Sequence, residues 1–200
     1  MTNQDIQNEF SEDQGQALLR FARFTIGEKL GITEKNHDQK EIIKSLENEI
    51  FNKNSGVFVT LNMDGNLRGC IGSLESRESV KQGVARNAVN AAFHDPRFPK
   101  LTKDEFARVH MEVSILSEPS PLEYTDSEEL LSKLKAGIHG VIIKKGGAQA
   151  TFLPQVWEQL PDKTSFMSHL CRKAGLYSEE WKKGKLKVMT YTVQYFEEGE

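Results

Sequence analysis

The chain has 200 residues, a mass of 22.6 kDa and a formal net charge of −3 at pH 7. With 38% hydrophobic and 28% charged residues, its composition is typical of a globular protein of one domain or two small lobes. No apolar stretch approaches the roughly 20 residues of a membrane-spanning helix. The polar, acidic N-terminal segment predicts no secretory signal, and the weak negative charge argues against a dedicated nucleic-acid binder.

The only two cysteines, Cys70 and Cys171, lie too far apart in sequence for a CxxC redox pair or a typical zinc cluster. Such sparse cysteine usage predicts a reducing, cytoplasmic compartment. Cys171 belongs to an apolar helical stripe with Phe166 and Leu170, which favours core packing. Cys70 is therefore the thiol of interest.

The first elements in chain order are two helices and a hairpin. Residues 1–10 are expected to form a disordered tail, and a helix is predicted after Ser11, which has capping-box spacing to the glutamine three residues on. A second helical pattern follows Asp38. The hydrophobic period then changes from 3.6 to 2, and the segments 56–62 and 67–72 are predicted to pair as a hairpin.

The hairpin's register follows from its hydrophobic pattern. We expect a three-residue loop over 63–65, because this length keeps the apolar residues of both strands on one face. Arg68 then shares the opposite face with Phe58, Thr60 and Cys70, about 6.6–7 Å from the cysteine along the strand. The predicted apolar face contains Val57, Val59, Leu61, Leu67 and Ile71.

Short helices and strands alternate in the rest of the chain. A helix over 78–93 is expected to stop at Pro96, because proline cannot continue a helix. A second capping box, at Thr102, predicts a short helix. A strand over 109–116 and a helix capped by Asp126 follow.

The C-terminal third predicts a hairpin with a Gly146–Gly147 turn, a helix capped by Thr164 and a last strand over 186–196. Tight turns and interleaved helices predict an α+β fold with a mainly antiparallel sheet, in two lobes that share a cleft. The lysines at 182, 183, 185 and 187 are typical of a solvated strand edge. Their alternative role, a patch for an anionic partner, is weakened by the acidic residues elsewhere.

The densest motif is LRGCIG, residues 67–72. Two glycines flank Cys70 in a strand, where glycine usually marks the close approach of backbone or ligand. A same-face Arg68 would favour the thiolate form of the cysteine. The alternative is a small buried cysteine in a tightly packed strand.

The segments LRGCIGSLE, DPRFPKLTKDEF, MEVSILSEP, GIHGVIIKKGG, FLPQVWEQL and LCRKAGL, in this order, resemble the AMMECR-type domain family, called AmmeMemoRadiSam system protein A in prokaryotes. The resemblance runs from about Gln16 to Phe196. It departs over 38–51, where the family has an extended, proline-rich stretch and this chain has an amphipathic helical pattern. The resemblance implies one domain over 11–200 with two subdomains and a cleft near the LRGCIG strand.

The resemblance also implies a cytosolic protein whose gene often accompanies those of a Memo-type and a radical-SAM protein. These two are the expected partners, beside a small molecule of unassigned chemistry. The resemblance implies no particular reaction, cofactor or metal. Positions that match the family's functional motifs are Arg68, Cys70, Asp95, Arg97, Phe98, Glu112, Ser114, Leu153, Pro154 and Gln155.

The residues themselves support part of this assignment. If the EVS strand neighbours the LRGCIG strand, Cys70 as nucleophile, Glu112 as base and Arg68 as anion clamp converge. The alternative is a structural Arg68–Glu112 ion pair across the sheet. Asp95 and Arg97 are candidates for a binding role, but a loop-fastening pair is the more common use of such residues.

Histidine and metal chemistry have weaker support. His139 precedes a strand and would face the cleft, but the family accepts aspartate there, which makes it a poor obligatory base. A metal site would need Cys70, Glu112 and a histidine to converge. Two functions stay open: a cysteine-dependent enzyme or enzyme subunit with its site around Cys70, and a non-catalytic binding module in a complex with Memo-like and radical-SAM partners.

Overall fold

The computed structural model describes residues 9–32 and 36–199, with side chains omitted for 36–38. Within these ranges the α-helices are Glu12–Leu30 (α1), Asn36–Ser45 (α2), Val80–Phe93 (α3), Lys103–Phe106 (α4), Ser127–Lys133 (α5), Val156–Gln159 (α6) and Lys163–Lys173 (α7). Short 3-10 helices span Glu49–Asn52 and Glu180–Lys183. The strands are Val57–Met63 (β1), Asn66–Ser73 (β2), His110–Leu116 (β3), Ser120–Pro121 (β4), Gly140–Lys145 (β5), Ala148–Phe152 (β6), Lys187–Tyr191 (β7) and Val193–Glu197 (β8).

The strands form two four-stranded sheets, ordered β2-β1-β3-β8 and β4-β7-β5-β6. Neighbouring strands pair antiparallel, as in β1 with β2 and β3, and in β5 with β6 and β7. The predicted antiparallel α+β fold is confirmed. The described chain divides into a smaller unit, 117–193, and a larger unit, 9–116 with 194–199. No helix of the described residues is long and apolar enough to cross a membrane.

The larger unit is built on α1 and α3, which pack on one face of the first sheet. Helix α1 has the predicted capping box at Ser11. Its C-terminal cap is Gly31, whose φ of 67° lies in the left-handed region that favours glycine because glycine has no Cβ. Phe10, which the tail prediction includes, is instead 3% exposed in this core. Its backbone N–H donates to the Gln194 side chain and its carbonyl accepts from it. Residues 1–8 of that predicted tail lie outside the described residues.

The β1–β2 hairpin differs from its prediction. Asp64 and Gly65, with φ of 52° and 76°, form a two-residue turn, so the three-residue loop is wrong. A bulge compensates: Leu61 pairs with Gly69 and Asn62 with Leu67, which leaves Arg68 as the extra residue. Since a bulge shifts the alternation of side chains by one, Leu67 falls on the face of Asn62 and is 43% exposed rather than in the core.

The smaller unit confirms the β5–β6 hairpin, with its turn at Gly146 and Gly147. Helix α7 is capped by Asp162, whose side chain accepts from the backbone N–H of the residue three positions on, so the predicted Thr164 cap is wrong. The predicted last strand is two strands, β7 and β8, which belong to different sheets. Cys171 is fully buried in the core of this unit, as expected.

Candidate functional site

Three side chains align across the first sheet. Thr60 on β1 pairs with Cys70 of β2 on one side and with Glu112 of β3 on the other. Because residues directly opposite each other share a face, all three side chains leave the sheet on the same side. All are half-buried, and the Thr60 hydroxyl donates to Sγ of Cys70 at 3.3 Å. We call these residues the Cys70 row. The EVS strand β3 does not neighbour the LRGCIG strand β2, because β1 lies between them, so Cys70 and Glu112 share one surface without being directly opposite each other.

Thr60 is the member of the row to which the sequence assigned no function. Its place on the face of Cys70 was predictable from the period of β1, but its contact with the sulfur depends on the pairing of the two strands. Thr60 and Cys70 lie 10 residues apart in sequence. The sequence signal for Thr60 was therefore the two-residue period of the strands alone.

Glu112 sits in a partly desolvated position. Burial raises the pKa of its carboxyl group, and the negative charge of Glu197 acts in the same direction. A hydrogen bond from the hydroxyl of Ser114 to Oε1, at 2.8 Å, opposes this shift. Ser114 is itself 4% exposed. A carboxylate with a raised pKa is a stronger proton acceptor than an ordinary glutamate.

The backbone of Cys70 is held by a loop, since β2 is an edge strand. The N–H of Cys70 donates to Oδ2 of Asp95 at 2.9 Å, and its carbonyl accepts from Nη2 of Arg97 at 3.1 Å. The side chains of Asp95 and Arg97 are joined by hydrogen bonds of 2.7 and 3.0 Å. Asp95 and Arg97 thus bind the backbone N–H and carbonyl of Cys70, as a neighbouring strand would.

Asp95 and Arg97 form an ion pair in which each side chain favours the charged form of the other. Asp95 is 4% exposed, yet its hydrogen bonds with Arg97 hold the pKa of its carboxyl group well below the usual range, and the N–H of Cys70 acts in the same direction. Burial opposes the shift. Helix α3 stops just before this segment, as Pro96 predicts, and this stop presents Asp95 to β2. The bonds match the loop-fastening role and add a second one, the positioning of Cys70.

Arg68 forms a different ion pair from the expected one. Its Nε and Nη2 each donate to a carboxylate oxygen of Glu105 at 3.0 Å, and Nη2 also donates to the carbonyl of Pro99 at 2.9 Å. These bonds lower the pKa of Glu105 to about 2, although burial opposes them. The predicted Arg68–Glu112 convergence is wrong, because the bulge removes Arg68 from the alternation that would place it beside Cys70.

The charge of Arg68 is thus neutralised within the chain, and its side chain is only 7% exposed. Its Nη1 is buried without a hydrogen-bond partner among the described residues. The ring centroid of Phe98 is 5.9 Å from the guanidinium carbon of Arg68 and 5.4 Å from that of Arg97. Phe98 therefore packs the loop of Asp95 onto β2, and the geometry gives Arg68 a structural role.

The two glycines of the motif are explained by packing. A Cβ on Gly69 would lie 2.3 Å from the carbonyl oxygen of Ala91 in α3, and a Cβ on Gly72 would lie 2.2 Å from the ring of Phe58. Both distances are far below contact. The close approach that glycine indicates is therefore to the chain's own helix and its own aromatic ring, not to a ligand.

Comparison with known proteins now identifies the family. The model of the AMMECR1 family matches residues 19–196, which include the Cys70 row and the Asp95 loop. The chain belongs to the AMMECR1 family. A protein of Methanosarcina mazei is 38% identical over 192 residues, covering 95% of this chain and 94% of the relative. A protein of Thermofilum pendens is 36% identical over 199 residues, covering 94% and 91%.

A solved structure has a fold similar to that of this chain. The crystal structure of the uncharacterized protein PH0010 from Pyrococcus horikoshii matches this chain with a TM-score of 0.74 and 31% identity. The match covers 94% of this chain and 93% of that one. The family resemblance carried by LRGCIG and the later motifs is confirmed.

His139 and the LPQ segment of residues 153–155 lie in the smaller unit of this AMMECR1 chain. His139 accepts a hydrogen bond on Nδ1 from the backbone N–H of Lys135 at 3.3 Å, and its carbonyl accepts from the indole N–H of Trp157 at 2.7 Å. Gln155 is exposed at the start of α6, where its side chain makes no capping bond. Their binding roles stay predictions.

Metal ligation was tested on the donor set. Over 9–32 and 36–199, no group of three or more histidine, cysteine, aspartate or glutamate residues lies close enough together to hold a metal ion. Both cysteines of the AMMECR1 chain are free thiols. The Cys70 row presents a thiol, a hydroxyl and a carboxyl group on one face of the sheet.

Proposed function

We propose that this AMMECR1 protein is a cysteine-dependent enzyme, or the thiol-bearing subunit of one, whose site is the sheet face around Cys70. The observation that carries the proposal is the Cys70 row. A half-buried thiol accepts a hydrogen bond from the Thr60 hydroxyl, and a carboxyl group of raised pKa, that of Glu112, flanks the same threonine. These are a nucleophile and a proton acceptor on one surface.

The proposed step begins with the proton of Cys70. Sulfur and carboxylate stand on strands two spacings apart, about 10 Å between backbones. The Thr60 hydroxyl, which donates to Sγ at rest, therefore turns to accept the proton of Cys70, while its own proton passes to ionised Glu112 directly or through water. The freed sulfur electron pair forms a bond to an electrophilic carbonyl carbon of the substrate, and the carbonyl π pair moves to its oxygen. Ser114, bonded to Oε1, orients the accepting carboxylate.

The neighbouring residues have positioning roles in this proposal. Asp95 fixes the backbone N–H of Cys70, and Arg97 fixes its carbonyl. Arg97 bonds through Nε and Nη2 while its side chain is 53% exposed, so it can also contact an anionic group of a substrate. This assignment transfers the anion-clamp role from Arg68 to Arg97.

A second candidate is a non-catalytic binding module that works in a complex with Memo-like and radical-SAM proteins. The observation that favours it is the internal use of the motif: Arg68 is neutralised by Glu105, and both glycines serve packing. For either candidate we propose a cytoplasmic location, because free thiols suit a reducing compartment.

The separating experiment is reconstitution with a Memo-like and a radical-SAM partner. Complex formation is followed by size-exclusion chromatography, and turnover by mass spectrometry of a small-molecule extract. The enzyme proposal expects Cys70→Ala and Glu112→Gln to assemble normally and to lose turnover, while the matched surface variant Glu118→Gln keeps both. Turnover that survives in Cys70→Ala overturns the enzyme proposal and supports the binding module.

A further inference from the structure

The smaller unit contains a cavity of about 620 Å³ beside β7. It forms where the short strand β4 ends and the chain leaves β7. The last backbone bond runs from the N–H of Leu122 to the carbonyl of Val188 at 2.9 Å. Beyond it the Tyr124 hydroxyl donates to the carbonyl of Leu186 at 2.8 Å. A side chain thus replaces the departed strand and leaves space along β7.

Two lysines border this cavity, Lys144 of β5 and Lys187 of β7. They are directly opposite each other in the register, so their side chains leave the same face with Cβ atoms about 4.5–5.5 Å apart. Like charges in such a pair are destabilising. Neither ammonium group has a hydrogen bond or ion pair within the described part of the chain. The pair lacks a counter-charge.

The rest of the lining is mixed. Met189 and Pro121, which pair in the register, contribute apolar surface on the face of the two lysines, and Glu123 contributes a carboxylate. Leu186 and Val188, 5% and 3% exposed, belong to the core of the unit. Two lysines against one glutamate leave a positive cavity. Small-molecule sites have volumes of about 300–1,000 Å³ and combine mostly apolar walls with a few convergent polar groups. The cavity has such a volume and two convergent cationic groups.

We propose that this cavity binds an organic anion. The phosphate or carboxylate head lies between Lys144 and Lys187, and an apolar body packs against Pro121 and Met189. The anion supplies the counter-charge that the lysine pair lacks in the chain itself. The proposal is independent of the Cys70 row and assigns a function to the last residue of the lysine run, which otherwise suits a solvated strand edge.

The test titrates the full-length protein with 1-naphthyl phosphate and 1-naphthoate by calorimetry, with inorganic phosphate and 1-naphthol as head-only and body-only probes. We expect saturable one-to-one binding of a naphthyl anion, and the tighter of the two identifies the head group. Lys144→Gln and Lys187→Gln are each expected to weaken binding roughly tenfold, the value of a charge-assisted hydrogen bond. Lys187→Arg retains binding.

The matched control is Lys185→Gln, which removes an exposed lysine that does not line the cavity. It is expected to bind as the wild type does. The proposal is overturned if neither naphthyl anion saturates, if 1-naphthol binds as tightly as the anions, or if Lys185→Gln weakens binding as much as the cavity variants.

A ligand-free readout checks the unpaired charges directly. In low salt, Lys144→Gln and Lys187→Gln are expected to raise the melting temperature, because they relieve repulsion, and to lose the further rise that 1-naphthyl phosphate gives the wild type. Lys185→Gln is expected to change neither. An unchanged or lower melting temperature for both cavity variants contradicts the charge argument on which the proposal rests.

Discussion

The backbone N–H of Cys70 donates to the carboxylate of Asp95, a residue 25 positions later in the chain. The bond occupies the outer edge of β2, where a strand at the border of a sheet has no neighbour. Arg97 completes the arrangement by donating both to Asp95 and to the Cys70 carbonyl. A loop ion pair thereby fixes the one cysteine that reaches the surface of this protein.

Replacing Asp95 by alanine tests this relationship. The change removes the acceptor for both Cys70 and Arg97, and a hydrogen bond to a charged group contributes about 2 kcal/mol to stability. We expect a loss of about that size in urea unfolding and faster exchange of the Cys70 amide by NMR. Asp104→Ala, at an exposed aspartate, serves as the control. An unchanged Cys70 exchange rate contradicts the positioning role.

The Arg68–Glu105 pair predicts an acid-dependent stability. The folded pKa of Glu105, about 2, lies below its ordinary 4.5. Its contribution is therefore present above pH 4.5 and is lost as the pH falls towards 2. Glu105→Gln is expected to cost about 3 kcal/mol at pH 7, because it leaves Arg68 buried without its counter-charge.

The measurement is the free energy of unfolding from pH 7 to pH 2. Glu105→Gln should show a shallower decline than the wild type below pH 4.5, whereas Glu118→Gln, at an exposed glutamate, should follow the wild-type curve. If Glu105→Gln and the wild type decline in parallel, the ion pair does not carry the effect.

Substitution of Gly69 distinguishes a packing role of this glycine from a ligand-binding role. An alanine Cβ there meets the backbone of Ala91, which cannot move independently of α3. We expect Gly69→Ala to lower the free energy of unfolding by at least about 1–3 kcal/mol, the usual cost of overpacking. Gly147→Ala, where nothing lies within 4 Å, should be nearly neutral. Full stability of Gly69→Ala would reopen a ligand-approach role for that glycine.

Glu112 predicts the opposite pH dependence from Glu105. Because its folded pKa is raised, the favourable contribution of its protonated form is present below about pH 4.5 and is lost as the pH rises through the folded pKa. Glu112→Gln should therefore melt at a higher temperature than the wild type at pH 7–8, with the difference vanishing near pH 4. A constant difference across this range would show that Glu112 is not desolvated as described.

The sequence was most informative where local rules decide the structure. The caps at Ser11, Thr102 and Asp126 follow from nearby side chains and were predicted correctly. Parity likewise placed Thr60 on the face of Cys70. The α+β class followed from the succession of short periods and tight turns.

Long-range contacts explain what the sequence missed. The bulge at Arg68 is accompanied by its pairing with Glu105, 37 residues away, and no local pattern reports that bond. The separation of β7 from β8 at Thr192 was also invisible, because the same alternation continues through both strands. The like-charged register of Lys144 and Lys187 depends equally on which strands pair.

We propose Cys70 as a nucleophile that the other residues of the Cys70 row assist. Its most direct test is the rate of Cys70 alkylation by iodoacetamide at pH 7, followed by peptide mass spectrometry against glutathione, with buried Cys171 as the internal control. Cys70 is expected to react about tenfold faster than glutathione or more, and Thr60→Val and Glu112→Gln are each expected to remove this advantage. A wild-type rate no faster than glutathione, or variants that react as the wild type does, would contradict the proposal.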